Sequence, residues 1–300
     1  MIRTCYIVEF IVIDNDILIV DAGTIHGGHY DSSNGPKAAF HGHIMVTGAD
    51  DVIGQFIQTE KAYEAVLRLG FSTNTYDAQG EKDQESAPQD LQKITLTQIE
   101  EALSHFRGDQ TQIPPLFSAI KVKGERLYQK ARRGETIEDL ESLRREITIH
   151  QLKMLDYNQD EHTIRLFVQC SKGTYIRSLV VDLARYLGVC GHLSYLRRTQ
   201  CGAFNLDQSS QLEYIDLSNL AHTLIPLETA LSHWPQIHVS SQQEQDLANG
   251  KEIVHASCPS DFFELKRGCA LSNDGRLIAL IQPSQNQKIK VLRGIRTSSS

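Results

Sequence analysis

An alternation of apolar and polar side chains in residues 63–69 is the pattern that most constrains the fold of this chain. Every second position carries an apolar side chain, namely Tyr63, Ala65, Leu67 and Leu69. A period of two is that of a β-strand with one buried face. The segment therefore predicts a strand that turns its apolar side chains toward a core.

Other patterned segments predict both helices and strands. Residues 97–107 have apolar side chains at helical spacing, and Thr97 with Glu100 three residues later forms a capping-box pattern. A basic helix is predicted at 125–133, closed by Gly134. The polar, acidic segment 80–93 is typical of a surface loop. The remaining predictions are strands at 17–20, 146–155, 163–170 and 276–282, and a helix at 176–187.

The bulk composition is that of a folded protein that does not enter a membrane. The chain has 300 residues, of which 40% are hydrophobic and 22% charged. Apolar patches near the N-terminus are interrupted by Asp14, Asp16 and Asp21, so they neither span a bilayer nor form a secretory signal. We therefore expect a cytoplasmic protein. The six cysteines contain no CxxC pair, so we interpret them as small buried side chains and not as a zinc or redox motif.

The charge is distributed unevenly along the chain. The formal net charge of −7 argues mildly against a nucleic-acid partner. Residues 121–133, however, contain six basic side chains and one acid, which gives that short stretch a formal charge of +5. Because a binding face needs only local charge, this segregation is compatible with RNA binding.

Three ordered blocks of sequence carry a family resemblance. The first covers residues 63–81, and the second covers 113–134. The third, which is the most specific, is Cys170-Ser-Lys-Gly-Thr-Tyr-Ile-Arg177 followed by Leu196-Arg-Arg-Thr199. Together the blocks resemble the TruB family of pseudouridine synthases over about residues 48–207. The C-terminal part resembles the small PUA-type RNA-binding domain of that family.

The resemblance implies a fold, an activity and a partner. The fold is α+β, with a mixed, largely antiparallel sheet, flanking helices and a small β-rich PUA-like domain. The domains are expected at 1–230 and 235–295. The activity is isomerisation of a uridine in the T-loop of tRNA, at position 55, with no metal or organic cofactor. The expected partner is the T-loop and T-stem of tRNA, bound by a monomer.

The resemblance also assigns roles to residues. Tyr63 would stack on the base and is a candidate general base, Arg177 would pair with a catalytic aspartate, and Tyr175 and Leu196 would contact the flipped uracil. Taken alone, Tyr63 is better explained as an aromatic side chain on a buried strand face. Tyr175 and Leu196 could equally be core residues, and Arg177 could be a surface helix arginine. The phosphate contacts implied for tRNA, which could otherwise be a solvated face, are Lys121, Lys123, Arg126, Arg132, Arg133, Arg197 and Arg198.

The family's catalytic-aspartate block, Gly-His-x-Gly-Thr-Leu-Asp-Pro, does not occur upstream of Tyr63. Asp31 follows a Gly-His pair and lies 32 residues before Tyr63, so one interpretation makes it the catalytic residue. In the other interpretation, residues before about 48 are not family sequence, as after a disrupted reading frame. The chain would then be a catalytically inactive tRNA-binding protein.

A third alternative is a small-molecule metalloenzyme that uses a histidine-rich loop. HxxH and HxH spacings can present two nitrogens to zinc. No neighbouring cysteine or carboxylate cluster completes a ligand set in the sequence, so no metal ligand is assigned. The histidines concerned are His26, His29, His41 and His43.

Overall fold

The computed structural model describes residues 60–135, 140–211 and 224–295, together with Ser218, Asn219, His222 and three short strands before residue 22. The chain divides into two compact units. Among the described residues, the first unit comprises the strand at 5–6 and residues 60–202, and the second comprises the strands at 8–13 and 16–21 and the residues from 203 onward.

Strands and helices alternate irregularly along the chain, as is typical of an α+β fold. Up to residue 201 the elements are β1 (Cys5–Tyr6), β2 (Val8–Ile13), β3 (Asp16–Asp21), β4 (Lys61–Leu69), β5 (Phe71–Thr73), β6 (Lys82–Glu85), α1 (Pro88–Gln92), α2 (Leu96–His105), β7 (Gly108–Gln112), β8 (Lys121–Val122), β9 (Glu125–Arg126), α3 (Leu127–Arg132), β10 (Arg145–Asn158), β11 (Thr163–Cys170), α4 (Ile176–Tyr186) and β12 (Gly191–Cys201). From residue 204 they are β13 (Phe204–Asn205), β14 (Ser210–Gln211), β15 (Leu224–Pro226), α5 (Leu227–Ala230), β16 (Gln236–His238), α6 (Ser241–Ala248), α7 (Ser260–Leu265), β17 (Gly268–Leu271), β18 (Leu277–Pro283) and β19 (Ile289–Gly294).

The main sheet of the first unit has the strand order β1-β12-β4-β11-β10-β7. β1 pairs with β12 in parallel, and the other neighbours are antiparallel. The apolar face predicted for residues 63–69 is confirmed, because those alternate side chains are buried in β4. The predicted α+β fold with a largely antiparallel sheet is therefore confirmed.

The core of the first unit lies between this sheet and the helices α2 and α4. Leu67, Leu166 and Leu183, from β4, β11 and α4, are each at most 2% exposed. Among the described cysteines of both units, Cys170, Cys201 and Cys269 are buried, as their interpretation as small apolar side chains predicts, whereas Cys190 and Cys258 are only half-buried. Burial raises the pKa of Cys170 to about 11, so its thiol is neutral at physiological pH.

The second unit contains a four-stranded sheet in the order β16-β17-β18-β19. β16 and β17 are parallel, and the other pairs are antiparallel. Phe262 of α7 packs with Ile281 and Ile289 in its core, and all three are fully buried. The predicted strand at 276–282 is β18, shifted by one residue. A separate sheet of this unit pairs β3 with β2, β14 and β15.

Three local predictions were wrong. The capping box of α2 is formed by Thr95 and Gln98, because the helix begins at Leu96 and Thr97 already lies in its first turn. Residues 80–93 contain β6 and α1 instead of a loop, since β6 pairs with β5 and α1 buries Leu91.

The third error concerns the basic helix predicted at 125–133. Its first two residues form β9, which pairs with β8, and the helix α3 begins only at Leu127. The two residues between the strands, Lys123 and Gly124, both have positive φ angles, of 54° and 86°. That is the geometry of a two-residue hairpin turn, which a count of helical spacing does not detect.

Within the described part of the chain, no helix is long and apolar enough to cross a membrane.

Gly191 is a position where only glycine fits. A Cβ atom there would lie 2.8 Å from Cβ of Ala184 and 2.8 Å from Cδ1 of Leu67. We expect Gly191→Ala to lower the free energy of unfolding by about 1–3 kcal/mol, because α4 and β12 must move apart. Gly294→Ala is the control, since an added Cβ meets nothing within 4 Å there. Urea unfolding followed by circular dichroism measures both, and equal effects would contradict the packing explanation.

Candidate active site

Arg177, in the first turn of α4, is held by three acceptors from two other segments. Its Nη1 donates to the carbonyl oxygen of Thr75 at 3.0 Å and to Oδ2 of Asp77 at 3.1 Å. Its Nη2 donates to the carbonyl oxygen of Phe117 at 2.9 Å. The side chain is only 23% exposed, so these bonds offset the cost of burying the charge. The guanidinium thereby joins the turn after β5, the segment before β8, and α4.

Asp77 is a site residue to which the sequence analysis assigned no role. Besides the ion pair with Arg177, its Oδ1 accepts a bond from the Thr75 hydroxyl at 2.7 Å and another from the Gln79 backbone N–H at 3.0 Å. The turn also pairs with β12 through Leu193. Asp77 lies within the first family-like block. The sequence signal that could have identified it as a partner of Arg177 is that it is an acidic residue in that block. The carboxylate partner expected for Arg177 is thus, within the described residues, Asp77.

Tyr63 is a buried residue at the middle of the sheet, 8% exposed. It lies opposite Arg198 of β12, and the Arg198 guanidinium carbon is 5.7 Å from its ring centroid. Burial raises the pKa of Tyr63, and Arg198 offsets part of that rise. The ring is therefore a neutral phenol at physiological pH. A neutral ring of this kind can pack against a nucleobase. The raised pKa disfavours the phenolate form that Tyr63 would need in order to act as a general base.

Tyr175 and Leu196 take different positions around this region. Tyr175 is the residue that precedes α4, and it is half-buried. Its ring lies beneath the guanidinium of Arg145, with 5.4 Å between the guanidinium carbon and the ring centroid. Leu196 lies opposite Ala65 in the pairing of β12 with β4, and it packs against the core while half-buried. Both side chains belong to the unit that contains Tyr63 and Arg177.

The consecutive arginines Arg197 and Arg198 point to opposite faces of the sheet. In the pairing of β12 with β4, Arg198 is opposite Tyr63, and Arg197 is opposite Glu64. Because adjacent strand residues alternate in direction, only Arg198 shares the face of Tyr63. The two arginines, which the sequence grouped together, thus occupy different surroundings.

The basic segment 121–133 folds as the β8–β9 hairpin and helix α3, fixed to the first unit by the fully buried Leu127. Arg133 forms ion pairs with Glu125 at 2.6 Å and Glu135 at 2.7 Å, and these carboxylates raise its pKa. Arg132 instead lies over the ring of Tyr128, at 5.4 Å. All of the following predicted contact residues on this segment are exposed: Lys121, Lys123, Arg126, Arg132 and Arg133.

Asp31 and the histidines at positions 26, 29, 41 and 43 lie outside the described residues. Among the residues that the structure does describe, no group of three or more histidine, cysteine, aspartate or glutamate side chains could hold a metal ion. The role of Asp31 therefore stays a prediction.

Comparisons with known proteins define the class of this chain. Residues 44–176 match the model of the TruB family pseudouridylate synthase N-terminal domain. Residues 177–232 match that of the tRNA pseudouridylate synthase B C-terminal domain. The fold is similar to a chain of an H/ACA RNP bound to a substrate RNA containing 2′-deoxyuridine, with a TM-score of 0.56 and 16% identity over 83% of this chain and 70% of that one. It is also similar to a chain of a Cbf5-Nop10-Gar1 complex, with a TM-score of 0.57 and 19% identity over 82% and 69%.

Curated relatives make the assignment more specific. A protein of Limosilactobacillus reuteri named tRNA pseudouridine synthase B is 38% identical over 245 residues, which cover 79% of this chain and 78% of the relative. A protein of the same name from Corynebacterium diphtheriae is 36% identical over 262 residues, which cover 85% and 83%. The matched domains are those of a pseudouridine synthase. The chain belongs to the TruB family, as the three sequence blocks indicated.

The pair of Arg177 and Asp77 should be energetically coupled. We expect a double-mutant cycle of Arg177→Met and Asp77→Ala to give a coupling energy of about 1–2 kcal/mol, because both side chains are largely shielded from solvent. The exposed pair Arg185–Asp182 is the control, with an expected coupling of about 0.5 kcal/mol or less. Urea unfolding of the four proteins in each cycle measures both values. Equal coupling in the two cycles would show that the Arg177 pair is an ordinary surface contact.

Proposed function

We propose that this chain converts a uridine in the T-loop of tRNA, at position 55, to pseudouridine. Support comes first from the match of residues 44–232 to two TruB family models and from relatives named tRNA pseudouridine synthase B. The partner is the T-stem and T-loop of a cytoplasmic tRNA, bound by a monomer. The 235–295 domain is assigned as a PUA-like RNA-binding domain.

The reaction exchanges one bond of the uracil for another. The bond from N1 to C1′ of the ribose breaks, the base turns, and C5 becomes bonded to C1′. A proton leaves C5 and a proton is taken up at N1, so the reaction is an isomerisation with no net loss of atoms. A carboxylate can attack or stabilise the electron-poor C1′ because it is already ionised at neutral pH.

Arg177 is suited to orient such a carboxylate. A guanidinium has five N–H donors, and the bonds made within the described part of the chain use three of them. The two that are left can hold a second carboxylate in addition to Asp77. We assign that second carboxylate to Asp31, which lies 13 residues before the segment that matches the TruB N-terminal model.

The two tyrosines serve the flipped base. A uridine must leave the RNA stack before its glycosidic bond can be reached, and flat side chains replace the lost stacking. Tyr63 offers a neutral, buried ring on the sheet, and Tyr175 offers a half-buried ring at the start of α4. Leu196 adds an apolar wall on the same sheet face as Tyr63.

The first test is the modification of unmodified tRNA transcript by the purified chain, with chemical mapping of pseudouridine. We expect pseudouridine at position 55, and we expect Asp31→Ala to lower turnover by at least about 10³-fold, as the loss of a catalytic group does. Asp21→Ala is the control and should keep full turnover. No product from the wild type, together with tRNA binding that weakens with salt, would instead support the inactive binding protein.

The basic segment provides a second test, because two neighbouring arginines differ in their ion pairs. We expect Arg132→Ala to reduce the slope of log K against log salt for tRNA binding by about 0.7–0.9, the loss of one phosphate contact. Arg133→Ala should leave that slope unchanged, since Glu125 and Glu135 already engage its guanidinium. Fluorescence anisotropy with labelled tRNA at several salt concentrations measures both. Equal slopes for Arg132→Ala and the wild type would exclude Arg132 as a phosphate contact.

A further inference from the structure

Gln112, the last residue of β7, forms two hydrogen bonds with the backbone of Tyr175, through the oxygen and the nitrogen of its side-chain amide. Its Oε1 accepts the Tyr175 N–H at 2.7 Å, and its Nε2 donates to the Tyr175 carbonyl oxygen at 2.9 Å. Gln112 is only 3% exposed, so water cannot replace these bonds without cost. Because Tyr175 lies 63 positions after Gln112 in the sequence, this pair of hydrogen bonds is a tertiary contact. It fixes the backbone at the residue that precedes α4.

Arg145 acts on the ring of the same tyrosine. It is the first residue of β10, and it is the direct cross-strand partner of Gln112 in the pairing of β10 with β7. Its guanidinium carbon lies 5.4 Å from the ring centroid of Tyr175, within the range of a cation–π contact. The Nε atom of Arg145 is buried without a hydrogen-bond partner among the described residues. At that atom the aromatic contact thus has no competing hydrogen bond.

A third contact fastens the same strand end to α4. The hydroxyl of Ser178, a residue that is 3% exposed, donates to the carbonyl oxygen of Ile113 at 2.9 Å. Among the described strands, β7 is at the edge of the main sheet, where its one pairing partner is β10. The contacts of Gln112 and Ser178 therefore connect that sheet edge to the first turn of α4, which also carries Arg177.

We propose that Gln112 and Arg145 are positioning residues for Tyr175. Gln112 fixes the backbone of the tyrosine, and Arg145 covers one face of its ring. The opposite face is then the one presented to the flipped uracil. This inference rests on the proposed function. Both residues act on the flipped uracil through Tyr175, and neither contacts the substrate itself.

The test uses an RNA hairpin of the T-stem and T-loop with 2-aminopurine next to the target uridine. Its fluorescence rises when neighbouring bases unstack, so flipping is read without turnover. We expect Gln112→Leu and Arg145→Met to lower both the fluorescence rise and kcat by about ten- to a hundredfold. KM should change by about twofold or less, because a misplaced ring disturbs mainly the alignment of the reacting atoms. Arg145→Lys should restore part of the loss, since it keeps the cation.

Matched controls separate positioning from general destabilisation. Gln110→Leu changes a glutamine of the same strand that bonds to the backbone at His105 and Arg107. Arg144→Met changes the neighbouring arginine, which pairs with Glu141. Both controls should keep wild-type flipping and kcat. All variants are assayed well below their unfolding temperatures, which are measured by circular dichroism.

Each outcome decides between the two proposals. If Gln112→Leu and Arg145→Met flip and convert the uridine like the wild type, the positioning role is overturned while the proposed activity stands. If the wild type unstacks the hairpin without making pseudouridine, the proposed activity is overturned, and the fluorescence of the variants still decides the positioning role. If the wild type does neither, both proposals are overturned.

Discussion

The largely buried guanidinium of Arg177, with its bonds to three acceptors, is the feature on which the rest of the candidate site depends. A cation that is 23% exposed must be surrounded by acceptors, and here they come from Thr75, Asp77 and Phe117. These acceptors belong to two segments that are far from α4 in sequence. The need to satisfy one charge therefore fixes the turn after β5 and the approach to β8 relative to the helix.

A second constraint is that burial disfavours charge on the titratable groups around Tyr63. Burial raises the pKa of the Tyr63 phenol and of the Cys170 thiol, and it lowers the pKa of the Lys61 ammonium. All three shifts favour the uncharged form. Arg198 opposes the shift of Tyr63 because its charge lies over the ring. The result is an apolar wall beside a fixed cation. This arrangement suits a neutral nucleobase attached to the anionic backbone of an RNA.

The sequence predicted those parts of the structure that follow from periodicity or from a family block. The strand at 63–69, the strand at 163–170 and the helix that begins at Ile176 all came from repeated side-chain patterns. The hairpin at 121–126 was missed because it depends on two positive φ angles. Gln112 gave no signal, since its role exists only through a partner 63 residues away. Local patterns carry no information about such tertiary pairs.

The geometry of Asp77 argues against it as the catalytic carboxylate of the proposed reaction. Its Oδ1 accepts two bonds within its own turn, and its Oδ2 accepts the bond from Arg177. To attack a ribose carbon, Asp77 would have to rotate, break the turn and leave Arg177 without its ionic partner, which costs several hydrogen bonds at once. The proposed reaction needs a carboxylate with a free oxygen, and the bonds of Arg177 to the described residues leave two of its N–H donors for one. Asp31, which we propose for this role, carries such a carboxylate and lies before the family-matched segment, which begins at residue 44.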